Sequence, residues 1–165
     1  MSSTAHPATQ YELKPLDLRE SIAGLVSQTR VALFAALDEE FLRDEHVAAL
    51  EVTTAQFTVM AYVFKKNVNS ACVLCEQLDY DRGAMSRMID RLEGKGLIRR
   101  VPLAHTRRGF ALEVTPAGQA AFPKMEACAV RVVNRMLRGL TKTQVRAAEK
   151  VLKQMLANAN ASAGR

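Results

Sequence analysis

Apolar residues first recur at helical spacing in Leu18, Ile22, Leu25, Val26, Thr29, Leu33 and Leu37, with Phe41 extending the stripe. This pattern predicts a helix of about 25 to 30 residues. Residues 1–15, with Pro7 and Pro15 and no periodicity, read as a flexible arm. A second helix is expected from Thr53 or Thr54, because Thr53-x-x-Gln56 has the capping-box spacing and Phe57, Met60, Ala61 and Phe64 form an apolar stripe. Asn67-Val68-Asn69 breaks it. Two short helices follow, Ser70–Leu78 and Asp81–Lys95, separated by Asp79 and Tyr80, with Asp81 as N-cap and Gly96 as the stop. In the second of these, Met85, Met88, Ile89 and Leu92 share one face, assigned to the core, while Arg82, Ser86, Arg87 and Arg91 lie opposite or along its border. The period then changes from helical to alternating. Leu97–Val101 reads as one strand and Phe110, Leu112 and Val114 mark a second, with Pro102–Gly109 as the hairpin tip. Thr115-Pro116 opens a long helix through Phe122, Met125, Ala129, Val132, Val133 and Met136, with Pro123 placed to kink it. Gly139 ends that helix, and Thr141-x-x-Gln144 opens a last one carrying Val145, Ala148, Val151, Leu152 and Met155.

Composition narrows what this order can serve. The 165 residues are 48% hydrophobic and 24% charged, which suits one modest core. No apolar run approaches the roughly 20 residues of a membrane span, and Met1–Thr9 is too polar for a signal-peptide core. A cytoplasmic protein without a membrane partner is therefore expected. The absence of Trp, with only three Tyr, argues against a stacking platform for single-stranded nucleic acid. Net charge is +6, and segment 82–108 alone holds eight basic and two acidic residues, so the whole excess maps there. The remainder is polarised, with four basic against nine acidic residues in 1–51 and nine against two in 116–165. Those two ends are expected to attract one another.

Two short helices joined by a tight turn, the second basic on its outer face, followed by a basic hairpin, describe a winged helix-turn-helix. A helix fits the DNA major groove, where Arg donates in pairs to guanine and Ser bonds several base edges. Arg82, Ser86, Arg87 and Arg91 are the base-reading candidates. The start of that helix also offers free amides and the positive dipole end to a phosphate. Arg107 and Arg108 on the wing tip would reach an adjacent minor groove, and Arg99 and Arg100 would anchor backbone. Gly83 and His105 complete the contact set. The partner expected is double-stranded DNA.

The run from Leu78 to Gln119, LDYDRGAMSRMIDRLEGKGLIRRVPLAHTRRGFALEVTPAGQ, resembles the MarR family of transcriptional regulators. Its helix, its Lys-Gly-Leu-Ile stop, its basic hairpin and its Val-Thr-x-x-Gly exit carry the likeness. The resemblance implies a mainly α fold in which 51–115 form a winged helix-turn-helix with a two-stranded wing, and 16–50 with 116–165 form an intertwined helical dimerisation region. It also implies a homodimer on pseudo-palindromic DNA, and frequently a small phenolic or carboxylated effector bound between the two regions. A repressor released by such a molecule is the function expected. One departure is Thr106, where the family usually carries an Asp that holds the wing arginine in place.

Other chemistry is thinner. Cys72-Val-Leu-Cys75 has C-x-x-C spacing but lacks both a βαβ context and a second pair for zinc, so neither metal nor cofactor is expected. Buried structural cysteines are the plainer assignment, with Cys128 a third thiol, and a thiol redox switch at Cys72 or Cys75 is the alternative function on the same scaffold. Arg30, His46 and Tyr62 are the candidates for an effector pocket. The acidic cluster Asp38-Glu39-Glu40 with Asp44 and Glu45 reads as solvated helix surface. No nucleophile, base and orienting group occur together, so the chain is not expected to be an enzyme.

Overall fold

The computed structural model describes residues 19–66, 68–103 and 109–162. The arm assigned to 1–15, the helix start at Leu18, the break at Asn67 and the wing-tip residues His105, Thr106, Arg107 and Arg108 lie outside the described residues. Helix α1 (Ile22–Arg43) begins where Ser21 adopts extended backbone and its Oγ accepts from the Gly24 N–H at 3.1 Å. Its 22 residues fall short of the expected length, because Ser21 closes one end and Asp44 leaves helical geometry at the other. Asp44 then caps a one-turn helix α2 (Glu45–Ala48), accepting from the Val47 N–H at 3.3 Å. Four residues are too few to display a periodic stripe, so α2 leaves no signature in the apolar pattern.

Helix α3 (Thr54–Lys66) starts on the expected capping box. The Thr53 N–H donates to Gln56 Oε1 at 3.1 Å and the Gln56 N–H to Thr53 Oγ1 at 3.3 Å. Of the predicted stripe Met60 is buried, Phe57 and Ala61 are half-buried and Phe64 is 40% exposed, while Val59 and Val63 are the other buried apolar residues of the helix. The helix is packed by α1 and by the later segments 82–94, 110–114 and 116–136, so its covered surface is wider than one stripe. Phe57 and Phe64 sit at the border, each stacked on Phe122 with ring centroids 5.6 and 4.5 Å apart.

Helices α4 (Ala71–Leu78) and α5 (Arg82–Gly94) are joined by a turn in which Asp79 takes the left-handed conformation, φ 54°, and the Tyr80 N–H returns to the Cys75 carbonyl at 3.2 Å. Asp81 caps α5, accepting from the Ala84 N–H at 2.8 Å, and Gly96 (φ 68°) lets the chain reverse. Strands β1 (Ile98–Pro102) and β2 (Phe110–Val114) pair antiparallel with Arg100 opposite Leu112. The Leu112 N–H also reaches the Asn69 carbonyl at 2.8 Å, which seats β2 beside the entry to α4.

Thr115 caps α6 (Pro116–Met136), which is continuous through Pro123. A Cβ on Gly118 would lie 2.1 Å from the Leu97 carbonyl oxygen, so only glycine allows the first turn of α6 to press on the wing's backbone. Helix α7 (Lys142–Ser162) opens on the Thr141 and Gln144 box, with the Thr141 N–H donating to Gln144 Oε1 at 2.8 Å. The core gathers Phe41, Val47, Val59, Met60, Leu74, Met85, Ile89, Leu92, Ile98, Leu112, Phe122 and Met125, drawn from every element except α7.

The acidic cluster is only in part the solvated surface expected of it. Glu40 is buried and receives Arg131 Nε at 2.7 Å and Arg135 Nη1 at 3.1 Å, while Asp44 receives Arg131 Nη2 at 3.1 Å. Asp38 Oδ1 accepts from the Thr54 N–H at 2.7 Å and hydroxyl at 2.8 Å. These carboxylates fasten α1 to α6 and to the start of α3; Asp38, Glu39 and Glu45 are exposed as expected, whereas Glu40 is buried and Asp44 half-buried. Among the described residues, no helix is long and apolar enough to cross a membrane, and no group of three or more His, Cys, Asp or Glu could hold a metal ion.

Candidate nucleic-acid interface

Helix α5 divides along its length. Met85, Met88, Ile89 and Leu92 are buried, and Arg82, Gly83, Ser86, Arg87 and Arg91 are exposed. The division follows from spacing, since the four apolar residues recur at three and four positions and fix the helix by burying that stripe. Among the described residues, none of Arg82, Arg87 and Arg91 is paired with a carboxylate. Asp90 and Glu93, the acidic residues of α5, are both drawn to Arg100. Three guanidinium groups thus stand in water on one rigid surface, beside the open amides and positive dipole end of the helix. The side chain of Arg87 lies back over Gly83, with its Nη1 3.3 Å from where a Cβ there would sit.

Arg99 and Arg100 have different surroundings. Arg99 is exposed and pairs with Glu113 directly across the ladder at 2.6 Å. Arg100 is half-buried. Its guanidinium bridges Glu93 and Asp90 on α5 and lies 5.0 Å over the Phe110 ring, while its backbone N–H donates to Glu93 Oε1 at 2.9 Å. Burial alone would lower its affinity for a proton, yet the two carboxylates hold it above the ordinary arginine value. Arg100 is thereby a clip between α5 and the wing. Two carboxylates three residues apart in an otherwise basic segment were the available sign of this partner, and the sequence pattern missed it.

Arg30, His46 and Tyr62 are not brought together. They sit on α1, α2 and α3, with Arg30 stacked 5.0 Å over Phe34, and none lines either of two clefts present here. One cleft of about 310 Å³ lies among Asp38, Phe41, Leu42, Val47, Val52 and Thr53. The other, about 350 Å³, lies between α4, α5 and the wing, lined by Cys72, Cys75, Arg82, Ser86, Arg100 and Phe110, among others. Of the three thiols, Cys72 is exposed, Cys75 half-buried and Cys128 buried, so the structural assignment fits Cys128 and fails for Cys72. Burial pushes the Cys75 and Cys128 thiols up, and the neighbouring Arg82 and Arg131 charges respectively act against it.

A helix-turn-helix with a basic, uncommitted second helix, clipped to a two-stranded hairpin, defines a winged helix-turn-helix protein. A model of the MarR family matches residues 70–109. The multiple antibiotic resistance protein MarR of Escherichia coli is 30% identical over 116 residues, covering 70% of this chain and 81% of that protein. The HTH-type transcriptional repressor MdtR of Bacillus subtilis is 31% identical over 114 residues, 69% of this chain and 72% of that protein. Among solved structures, a mutant E. coli MarR complexed with operator DNA superposes with a TM-score of 0.70 at 26% identity, covering 81% of this chain and 92% of that one. A Listeria monocytogenes regulator complexed with a 26mer DNA shares the fold at a TM-score of 0.74 and 22% identity, covering 84% and 89%. The chain belongs to the MarR family: it is a sequence-specific DNA-binding transcriptional regulator and not an enzyme.

Proposed function

We propose that the protein is a homodimeric repressor in which α5 of each copy enters a major groove of a pseudo-palindromic operator. The observation that carries this is the face of Arg82, Ser86, Arg87 and Arg91, free of carboxylate partners among the described residues and held rigid by the buried stripe beneath it. Arg87 and Arg91 read bases, Ser86 bonds a base edge beside them, and Arg82 with the amides around Gly83 holds a phosphate. Arg99 exchanges Glu113 for phosphate, because an exposed pair is worth little. Arg100 keeps its place as the clip, and His105, Arg107 and Arg108 extend the surface along the wing. That a mutant E. coli MarR has been seen on operator DNA, and that the B. subtilis relative is a repressor, supports both an operator and the sign.

The dimerisation region is 16–50 with 116–165, and the DNA-binding unit is 51–115. Ile22, Leu25 and Val26 of α1, Val130, Val133 and Met136 of α6, and Val151, Leu152 and Leu156 of α7 are exposed in the single chain, and no residue of α7 is buried. So much apolar surface on three long helices is what a second copy would cover. A small-molecule effector releases the DNA by favouring a spacing of the two α5 helices that misses the half-sites. Footprinting on the DNA upstream of the protein's own gene tests the arrangement. Two protected half-sites about 10 base pairs apart centre to centre support it, and a single or unphased footprint contradicts it.

A further inference from the structure

We infer that Gly83 is a specificity-determining residue of α5: the space left by its missing side chain seats the Arg87 guanidinium over the first turn of the helix and so sets which base Arg87 reads. The inference rests on the base-reading role proposed above for Arg87; the seating itself does not.

Nothing in the backbone at residue 83 calls for glycine. It is the second residue of α5, and among the described glycines only Gly96 and Gly139 take a positive φ. Glycine is also, after proline, the poorest helix former, so an ordinary side chain here would suit the helix better. What the residue supplies is room. A Cβ on Gly83 would stand 3.3 Å from Arg87 Nη1 and 3.2 Å from Asp81 Oδ1, closer than such contacts ordinarily come. Among the described residues these are its only neighbours within 4 Å, the helix's own backbone aside. Gly118 is the opposite case, because there the nearest obstacle is the Leu97 carbonyl and backbone itself must move.

The two neighbours of Gly83 are not equally free to yield. Asp81 Oδ1 is tied into the cap of α5, accepting from the Ala84 N–H at 2.8 Å. Arg87 is exposed and has no carboxylate partner among the described residues. A methyl group at position 83 is therefore accommodated by the guanidinium and leaves the fold in place. Side chains on a helix lean toward its N-terminus, so the stem of residue 87 runs over residue 83, four positions earlier, and its tip comes to rest at the start of α5. In helix-turn-helix proteins that end of the second helix is the part that meets base edges. A paired hydrogen bond to guanine needs both donors of the planar guanidinium aligned, so a tip lifted off the first turn loses its base or meets the neighbouring one.

The test uses the full chain as parent, Gly83→Ala, Arg87→Ala and the double variant. The readouts are melting curves, anisotropy on the upstream, single-base-changed and scrambled duplexes, and the NMR correlation of arginine Nε–Hε groups, with Arg87 assigned by its disappearance in Arg87→Ala. Gly83→Ala should melt at or above the parent, bind the scrambled duplex equally, and bind the upstream duplex about five- to tenfold more weakly, at the low end of what one paired base contact is worth. Added to Arg87→Ala it should change the Kd by less than about twofold, and in the free protein it should move the Arg87 resonance while Arg91 stays. Undiminished discrimination by Gly83→Ala overturns the proposal. So does an equal loss with and without Arg87, which would mean that the new methyl collides with DNA directly, or a loss on both duplexes with a lower Tm, which would mean a damaged helix. A parent that binds all duplexes alike removes the base-reading role and the specificity role with it. An unmoved Arg87 resonance overturns the seating alone and leaves base reading by Arg87 intact.

Discussion

At the residue scale, similar arginines differ in what their neighbours leave them free to do. Among the described residues, Arg87 and Arg91 have no carboxylate to hold them. Replacing either with Ala should weaken specific binding by about 1–3 kcal/mol and relax specificity, while leaving Tm nearly unchanged. Titrations on operator and on single-base variants check this, and undiminished discrimination in both variants would remove them from base reading. Arg100→Gln should do the reverse. Losing the bridge to Asp90 and Glu93 should lower Tm and weaken binding to specific and random duplex alike, as melting curves and paired titrations would show. The exposed Arg99–Glu113 pair predicts a stability change under about 1 kcal/mol for Arg99→Ala. The α5 split between Met85, Met88, Ile89 and Leu92 and the arginine face was legible because both periodicities are local. Arg100's partners were not, since they become neighbours only when the wing folds back on α5.

At the element scale, caps and close approaches decide where helices start and how they meet. Thr53, Asp81, Thr115 and Thr141 were legible as starts, because each cap lies within three residues of the amide or side chain it serves. The α2 turn and the fastening of α1 to α6 were not, because Glu40 and Arg131 are 91 residues apart. Hydrogen bonds from Arg131 and Arg135 hold the Glu40 carboxyl below its ordinary value, outweighing its burial. A lowered native value means the contribution is complete above the unfolded carboxylate pKa of about 4.3 and is lost as pH falls through the native value. Glu40→Gln should therefore melt lower than the parent at pH 7, with the gap closing below about pH 4. A gap independent of pH would refute the ion-pair role. Gly118→Ala should cost about 1–3 kcal/mol by forcing α6 off the Leu97 carbonyl.

At the scale of the whole molecule, a single chain leaves its longest helices half-dressed. The apolar pattern of α1 and α7 announced helices correctly but could not say that, among the described residues, nothing in the same chain buries Leu25, Leu152 or Leu156. Changing Leu152 and Leu156 together to Lys should shift the sedimentation coefficient from dimer toward monomer and weaken operator binding, if a second copy covers α7. The central claim, that the α5 face makes this chain a sequence-specific DNA binder, is tested most directly by one measurement. This is fluorescence anisotropy on the duplex upstream of the protein's own gene beside a scrambled duplex, across a salt series, for the parent and for the combined Arg87→Ala, Arg91→Ala variant. Tight parental binding to the upstream duplex alone is expected, with a steep salt slope from several phosphate contacts, and loss of that preference in the variant. Equal binding of both duplexes by the parent, or a variant that still discriminates, would contradict it.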